Sequence, residues 1–194
     1  CLRKFGRRLE AIRAIDFCPS GRGEALSRML EEAGRHPQET PPVIPRRDPA
    51  AVQGKTWLTR TNPYVDRLSS FWLVRRYLDP EARVAFLPPG EAVSQQADTV
   101  VFDMAEADFT HTGGLITFEV IAEAFGLTDA IPLPMRRVLR AIDLEDFENA
   151  PEEARGVKRM LDGLVAACPD DRQRMEHALV FFDTLLASYT ATKK

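Results

Sequence analysis

Cysteine is scarce in this chain. Cys1, Cys18 and Cys168 are its three among 194 residues, too few and too scattered for a disulfide framework or a Cys-rich zinc knuckle. They read as reduced thiols, and no base stands near any of them in the sequence, so none is assigned as a nucleophile. No apolar run approaches the roughly 20 residues that a bilayer-crossing helix requires. No stretch has the charged-then-apolar layout of a secretory signal, so the expectation is a soluble, cytoplasmic protein. There is no Gly-rich loop of the P-loop or dinucleotide type, no recognised zinc spacing, no internal repeat and no low-complexity tract. The opening residue is Cys1 and not Met, which raises two expectations: a fragment or processed product, or a lipidated mature N-terminus.

What is present is ordinary in bulk and uneven in detail. A hydrophobic content of 44% with 28% charged residues is that of a globular domain with a substantial core. The net charge is −3, but residues 1–56 carry +4 and the remainder −7. The basic end therefore suits either nucleic acid or the acidic remainder.

Periodicity divides the chain into three. Phe5, Leu9 and Ile12 recur at spacings of four and three within Leu2 to Ile15, and a second helical pattern runs from Glu24 to Gly34; together they predict a helical arm over 1–36. Residues 37–55 hold five prolines and read as an extended connector. The domain proper is expected over 56–194. There "TWLTR" reads as a strand, Asn62 and Pro63 as the cap and first-turn proline of a helix running to Leu78, and "VAFL" as the next strand, giving a βαβ-like unit. "DTVVFDM" and "ADFTHTGG" read as further strands, and Thr117 to Phe125 as a helix. Beyond Pro132 three helices are expected, over 133–144, 151–167 and 169–189, the last with an apolar stripe through Met175, Leu179, Phe182, Leu186 and Tyr189. The fold class is thus α/β: a small mixed sheet packed against a largely helical C-terminal half, with an N-terminal helical arm.

The helix after Asn62 carries a conflict. On a wheel of about 100° per residue, Tyr64, Leu68, Phe71, Trp72 and Leu78 share one side, Arg75 points into the middle of it, and Arg67 lies at its margin. A buried guanidinium without a partner costs several kcal/mol. Arg75 is therefore expected either to pair with a carboxylate, with Asp79, Asp103 and Asp143 as candidates, or to await an anion. The functional alternative gathers Arg60, Arg67, Arg75 and Arg76 into a pocket whose planar donors fit an oxyanion or carboxylate.

Several ordered stretches carry a resemblance: "TWLTRTNPYVDRLSSFWLVRRYLDPEARVAFLP", "FDM" at Phe102, "DFTHTGGLITFEVIAEAFGL" from Asp108 and "FFDTLLASY" near the end. Over Trp57 to Tyr189 the chain resembles the C-terminal domain of the chromate resistance protein ChrB family, with "AIDF" at Ala14 and the proline connector similar to the region before that domain. The resemblance implies a cytoplasmic bacterial protein associated with chromate resistance, in a family whose members include chromate-responsive regulators of an efflux operon. Those regulators carry a DNA-binding segment on the N-terminal side. Only the two-helix arm stands there in this chain, so DNA binding is not expected of it.

A second constellation surrounds His111, beside Gly113 and Gly114, with Glu119 opening the next helix. A histidine with carboxylates suits a divalent metal or acid/base work. His111, Glu119, Asp103 and Asp143 form the candidate metal set, with His111 and Glu119 as the catalytic pair if the protein is an enzyme. The alternative is structural: His111 bonded to backbone, and Glu119 favouring a helix N-terminus. His177 is expected on the polar, solvated side of the last helix, His36 lies in the connector, and Asp183 is placed to meet an arginine. Two functions follow: an oxyanion-sensing or oxyanion-handling domain with chromate or another small anion as partner, or a metal-assisted or His-dependent lyase or hydrolase acting on a small anionic substrate with one divalent metal as cofactor. A third expectation is self-association through the helical arm.

Overall fold

The computed structural model describes residues 42–93 and 97–191. The chain divides into two compact units, Cys1–Pro42 and Val43–Lys194; the expected helical arm, its proposed self-association, Cys1, Cys18 and His36 lie outside the described residues. Within the second unit, residues 43–55 are largely exposed but held to the domain at a few points: Arg47 N–H donates to Ala124 O at 2.8 Å, Arg46 donates to Glu123 O, and Val52 is buried.

Strands β1 (Thr56–Arg60), β2 (Arg83–Leu87) and β3 (Thr99–Val101) form one sheet in the order β2-β1-β3. The sheet is parallel throughout, so the α/β class holds while the expected mixed sheet becomes a parallel one. In central β1, Trp57 and Thr59 alternate inward, and Trp57 stands opposite Val84 on one side and Val100 on the other. The stretch "ADFTHTGG" does not form the expected strand. Asp103 and Glu106 take positive φ and break the extended run, the Asp108 carboxylate accepts the Val101 N–H at 2.8 Å, and only single bridges, Phe102 to Phe109 and Thr112 to Leu115, remain. Phe109 still stacks on Trp57, with Phe102 edge-on.

The described residues form five α-helices: α1 (Val65–Leu73), between β1 and β2, then α2 (Thr117–Ala124), α3 (Leu133–Asp143), α4 (Ala154–Ala167) and α5 (Asp171–Thr190). Their order matches the sequence pattern, with ends displaced by no more than three residues except in α1, which stops at Leu73, five residues before the expected Leu78. The start of α1 differs for a physical reason. Asn62 adopts φ 56°, a left-handed conformation that Asn tolerates, and its N–H donates to Asp171 Oδ2 at 2.8 Å, so it turns the chain and caps nothing.

Helix α1 packs against α2, α3 and α5, which leaves it almost no solvent face. Asp66, Ser69 and Ser70 are therefore buried along with Leu68, Phe71, Trp72 and Leu73. Trp72 lies against Phe118 of α2 and Phe182 of α5, and its indole N–H donates to Asp183 at 2.8 Å. After Leu73 the helix widens into a π-helical turn, Val74–Leu78, in which Asp79 N–H bonds Val74 O five residues back at 2.9 Å. The wider turn shifts the register of side chains that follow it. Arg75, expected to seek a carboxylate in the apolar cluster, is only half-buried and donates to the Ala82 carbonyl at 3.1 Å.

The junction between α1 and α2 is a buried carboxylate. Asp66, 3% exposed, accepts the Thr117 N–H on Oδ2 at 2.8 Å and the Phe118 N–H on Oδ1 at 2.7 Å, so a side chain from one helix caps the next. Glu119 supplies the remainder, accepting the Ile116 N–H at 3.1 Å. Removing a buried acceptor of two amides leaves both unsatisfied, so Asp66→Ala is expected to lower unfolding stability by about 3 kcal/mol. Asp66→Asn, which keeps one acceptor oxygen, is expected to cost roughly half of that. Urea denaturation followed by tryptophan fluorescence measures both; unchanged midpoints would show that the cap does not hold the helices together.

Candidate functional site

Helix α1 delivers Asp66, the loop after β3 delivers Asp103 and His111, and the end of α3 delivers Asp143 to a single point, with Thr117 at the start of α2 beside Asp103. Loop residue His111 is brought there by a tight turn in which Thr112 and Leu115 exchange hydrogen bonds of 3.1 and 2.9 Å, with Gly113 and Gly114 at φ 52° and 80°. Such φ values are open to glycine at no steric cost. His111 Nε2 lies 2.8 Å from Asp66 Oδ2, 3.6 Å from Asp143 Oδ2 and 3.7 Å from Asp103 Oδ1. The imidazole is 43% exposed, so the cluster has an open side although Asp66 is buried.

Each carboxylate has a distinct support. Asp66 is fixed by the α2 amides, with Ser70 Oγ at 3.4 Å. Asp103 accepts Arg67 Nε at 2.8 Å and Thr117 Oγ1 at 2.9 Å. Among the described residues, no hydrogen bond is donated to the Asp143 carboxylate by backbone or side chain; its partner is the imidazole 3.6 Å away. Asp66, His111 and Asp143 each present a ligand atom within 4.8 Å of the others, a spread compatible with one ion having bonds of about 2.0–2.2 Å.

The expected residues are partly assembled here. His111, Asp103 and Asp143 come together, and Asp66, which is not among the expected site residues, joins them. Glu119 is turned away: it caps Ile116 and pairs with Arg140, which also donates to Gly114 O at 2.6 Å. The four arginines end in three places. Arg60 donates to the carbonyls of Pro88 and Glu91, both at 3.0 Å; Arg67 reaches the His111 cluster through Asp103; Arg75 and Arg76 line a cavity of about 390 Å³ beside Trp72, where Arg76 pairs with Asp183 at 2.7 Å. The missing cysteine base also appears. His177, exposed as expected, stands with Nδ1 3.0 Å from the sulfur of buried Cys168, a meeting across the α4–α5 turn that no sequence spacing announced.

The pattern of the family described as ChrB, C-terminal domain, matches residues 57–189. Protein ChrB of Cupriavidus metallidurans is 34% identical over 203 residues, an alignment covering 99% of this chain and 61% of that protein. This chain belongs to the ChrB family. It spans about three-fifths of the length of that relative, and all four residues of the His111 cluster fall inside the matched domain. No solved structure matches. Among the described residues, no helix is long and apolar enough to cross a membrane.

Electrostatics in this ChrB domain are set by crowding. Burial, reinforced by the Asp66 charge, pushes the Asp143 carboxyl up to about 6, and the same causes raise Asp103. His111 is raised as well, chiefly by its hydrogen bond to Asp66. Three carboxylates thus face Arg67 and at most one imidazolium proton, leaving the cluster short of positive charge. A carboxyl whose folded value lies above its unfolded one carries no penalty below about pH 4, and the full penalty once pH has risen past about 6. Asp143→Asn is accordingly expected to stabilise the chelator-treated protein at pH 7.5 by about 1–2 kcal/mol, allowing for solvent screening, with the difference from wild type vanishing near pH 4. Thermal melts across that range check it; a variant less stable at pH 7.5 would contradict it.

Proposed function

We propose that this domain serves chromate resistance through a cation-dependent centre at His111, Asp66 and Asp143, at which a small oxyanion is sensed or processed. The observation that carries the reading is the position of one open-sided imidazole nitrogen 2.8 to 3.7 Å from three carboxylates. Like charges brought this close are tolerated when a proton or a cation balances them. One neutral nitrogen with carboxylate oxygens suits Mn²⁺, Fe²⁺ or Zn²⁺ better than the all-oxygen preference of Mg²⁺ or Ca²⁺.

The fit is supported by what each residue has to spare. Asp143 accepts no hydrogen bond among the described residues, and its oxygen is available. His111 Nε2 now shares a proton with Asp66, so this nitrogen either donates to that carboxylate or offers its lone pair to a cation. Asp103, held by Arg67 and Thr117, adds charge from slightly farther out. A bound cation would supply the positive charge that an oxyanion requires at an otherwise acidic centre. The chain's own residues hold the carboxylates apart, orient the imidazole against Asp66, and keep a proton on that pair when no cation is present. Turnover on a small anionic substrate, with His111 moving the proton, is the enzymatic form of the same reading. Regulation by chromate is its sensory form. In either, Arg67 is the member of the four-arginine set standing at the centre, and it orients Asp103.

Metal analysis by inductively coupled plasma mass spectrometry on protein purified without chelator is the direct test. Near-stoichiometric transition metal is expected in the wild type and less than a tenth of that in His111→Ala, with circular dichroism unchanged. Metal-free wild-type protein that also fails to bind Mn²⁺, Fe²⁺ or Zn²⁺ on titration would overturn the reading.

A further inference from the structure

A cavity of about 450 Å³ opens along α3, lined by Arg137, Arg140, Ala141, Leu144, Asp146 and Asn149. That volume lies in the range of about 300–1,000 Å³ typical of small-molecule sites. Arg137, Arg140, Ala141 and Leu144 recur at the three- and four-residue intervals that put side chains on one helix face, so α3 presents a guanidinium pair above an apolar floor.

The two arginines differ in a way that suits binding. Arg140 is fixed, one nitrogen on the Glu119 carboxylate and the other on Gly114 O at 2.6 Å, so the edge it shows the cavity is pre-oriented. Arg137 is exposed, and among the described residues no carboxylate pairs with it. An exposed arginine on its own is commonly just solvated. Here it stands one turn from an anchored guanidinium, with the Asn149 side chain and an apolar wall in the same cavity. Planar guanidinium donors match the two oxygens of a carboxylate.

We infer that this cavity binds a small organic carboxylate, its carboxylate between Arg137 and the edge of Arg140 and its carbon body on Ala141 and Leu144. A bare tetrahedral oxyanion reaches the guanidiniums but leaves the apolar floor uncovered. The inference deepens the proposed function, because Arg140 bonds the turn that carries His111 and α3 ends at Asp143. The cavity's own binding chemistry does not require the cation.

Isothermal titration of the full 194-residue chain with acetate, lactate, malate, glutamate, sulfate and chromate tests this, each with and without chelator. Malate or glutamate is expected to bind at least tenfold more tightly than sulfate or chromate, and acetate, whose carbon body is too small to cover Ala141 and Leu144, more weakly than malate or glutamate. Arg137→Ala is expected to weaken that binding about tenfold, Arg137→Lys less, and neither to change metal content. No binding by any carboxylate, equal binding in Arg137→Ala, or sulfate and chromate binding as tightly as the carboxylates would each overturn the inference. Loss of the metal reading shows separately, as metal-free protein that still titrates with carboxylate.

Discussion

The buried carboxylate of Asp66 is the interaction on which the rest of the domain depends. It closes the N-terminus of α2 from a neighbouring helix and fixes the angle at which α1 and α2 meet. It also sets the orientation of His111 with the oxygen that caps Thr117. Burying a charge is unfavourable unless hydrogen bonds replace its water, and here two amides, a hydroxyl and an imidazole do so. The fold and the candidate centre therefore share one atom, and a change at Asp66 cannot disturb either alone.

That sharing explains why the remaining carboxylates are strained in charge and not in geometry. Asp103 is neutralised by Arg67, and Glu119 by Arg140. Asp143 is left to face His111 from the end of α3, so the uncompensated charge gathers at one point near the surface. Stability alone would favour a neutral residue there, and cost of this kind concentrated at an open, multi-element junction is a mark of functional sites.

Much of the architecture was legible because hydrophobic periodicity and turn residues agree along most of the chain. The βαβ unit from Thr56 to Leu87 and the helices from Thr117 onward follow directly from such patterns. The stretch after Asp103 was misread as a strand because alternation survives in "DFTHT" while the positive φ of Asp103 and Glu106 leaves no trace in residue type. Asp66 was missed for a different reason. A wheel assigns polar residues to solvent, yet α1 is enclosed by three helices, and its "polar" side is interior. The signal was there in Asp66, Ser69 and Ser70 lining one flank of a helix that is otherwise apolar except for Arg67. His111, Asp103 and Asp143 were found because histidine and carboxylate types narrow the chemistry even when spacing does not. Arg75 was led astray by the π-helical turn, which shifts its register relative to an ideal helix.

An acidic centre in a domain proposed to meet an oxyanion raises a question of sign. A dianion approaching three carboxylates is repelled unless something inverts the local charge, and Arg60, Arg67 and Arg76 are already occupied in three separate places. Helix α3 offers a physical route by which cation and anion sites need not coincide. It carries Asp143 at its end and Arg137 and Arg140 on the cavity face, while Arg140 grips the turn that positions His111. If occupation of either site settles α3 and that turn into the same arrangement, the two ligands are linked, and linkage is reciprocal: the factor by which a cation at Asp143 tightens the anion must equal the factor by which the anion tightens the cation. If the α3 cavity takes negative charge as inferred, a centre short of positive charge and joined to it by one helix is suited to report on both at once.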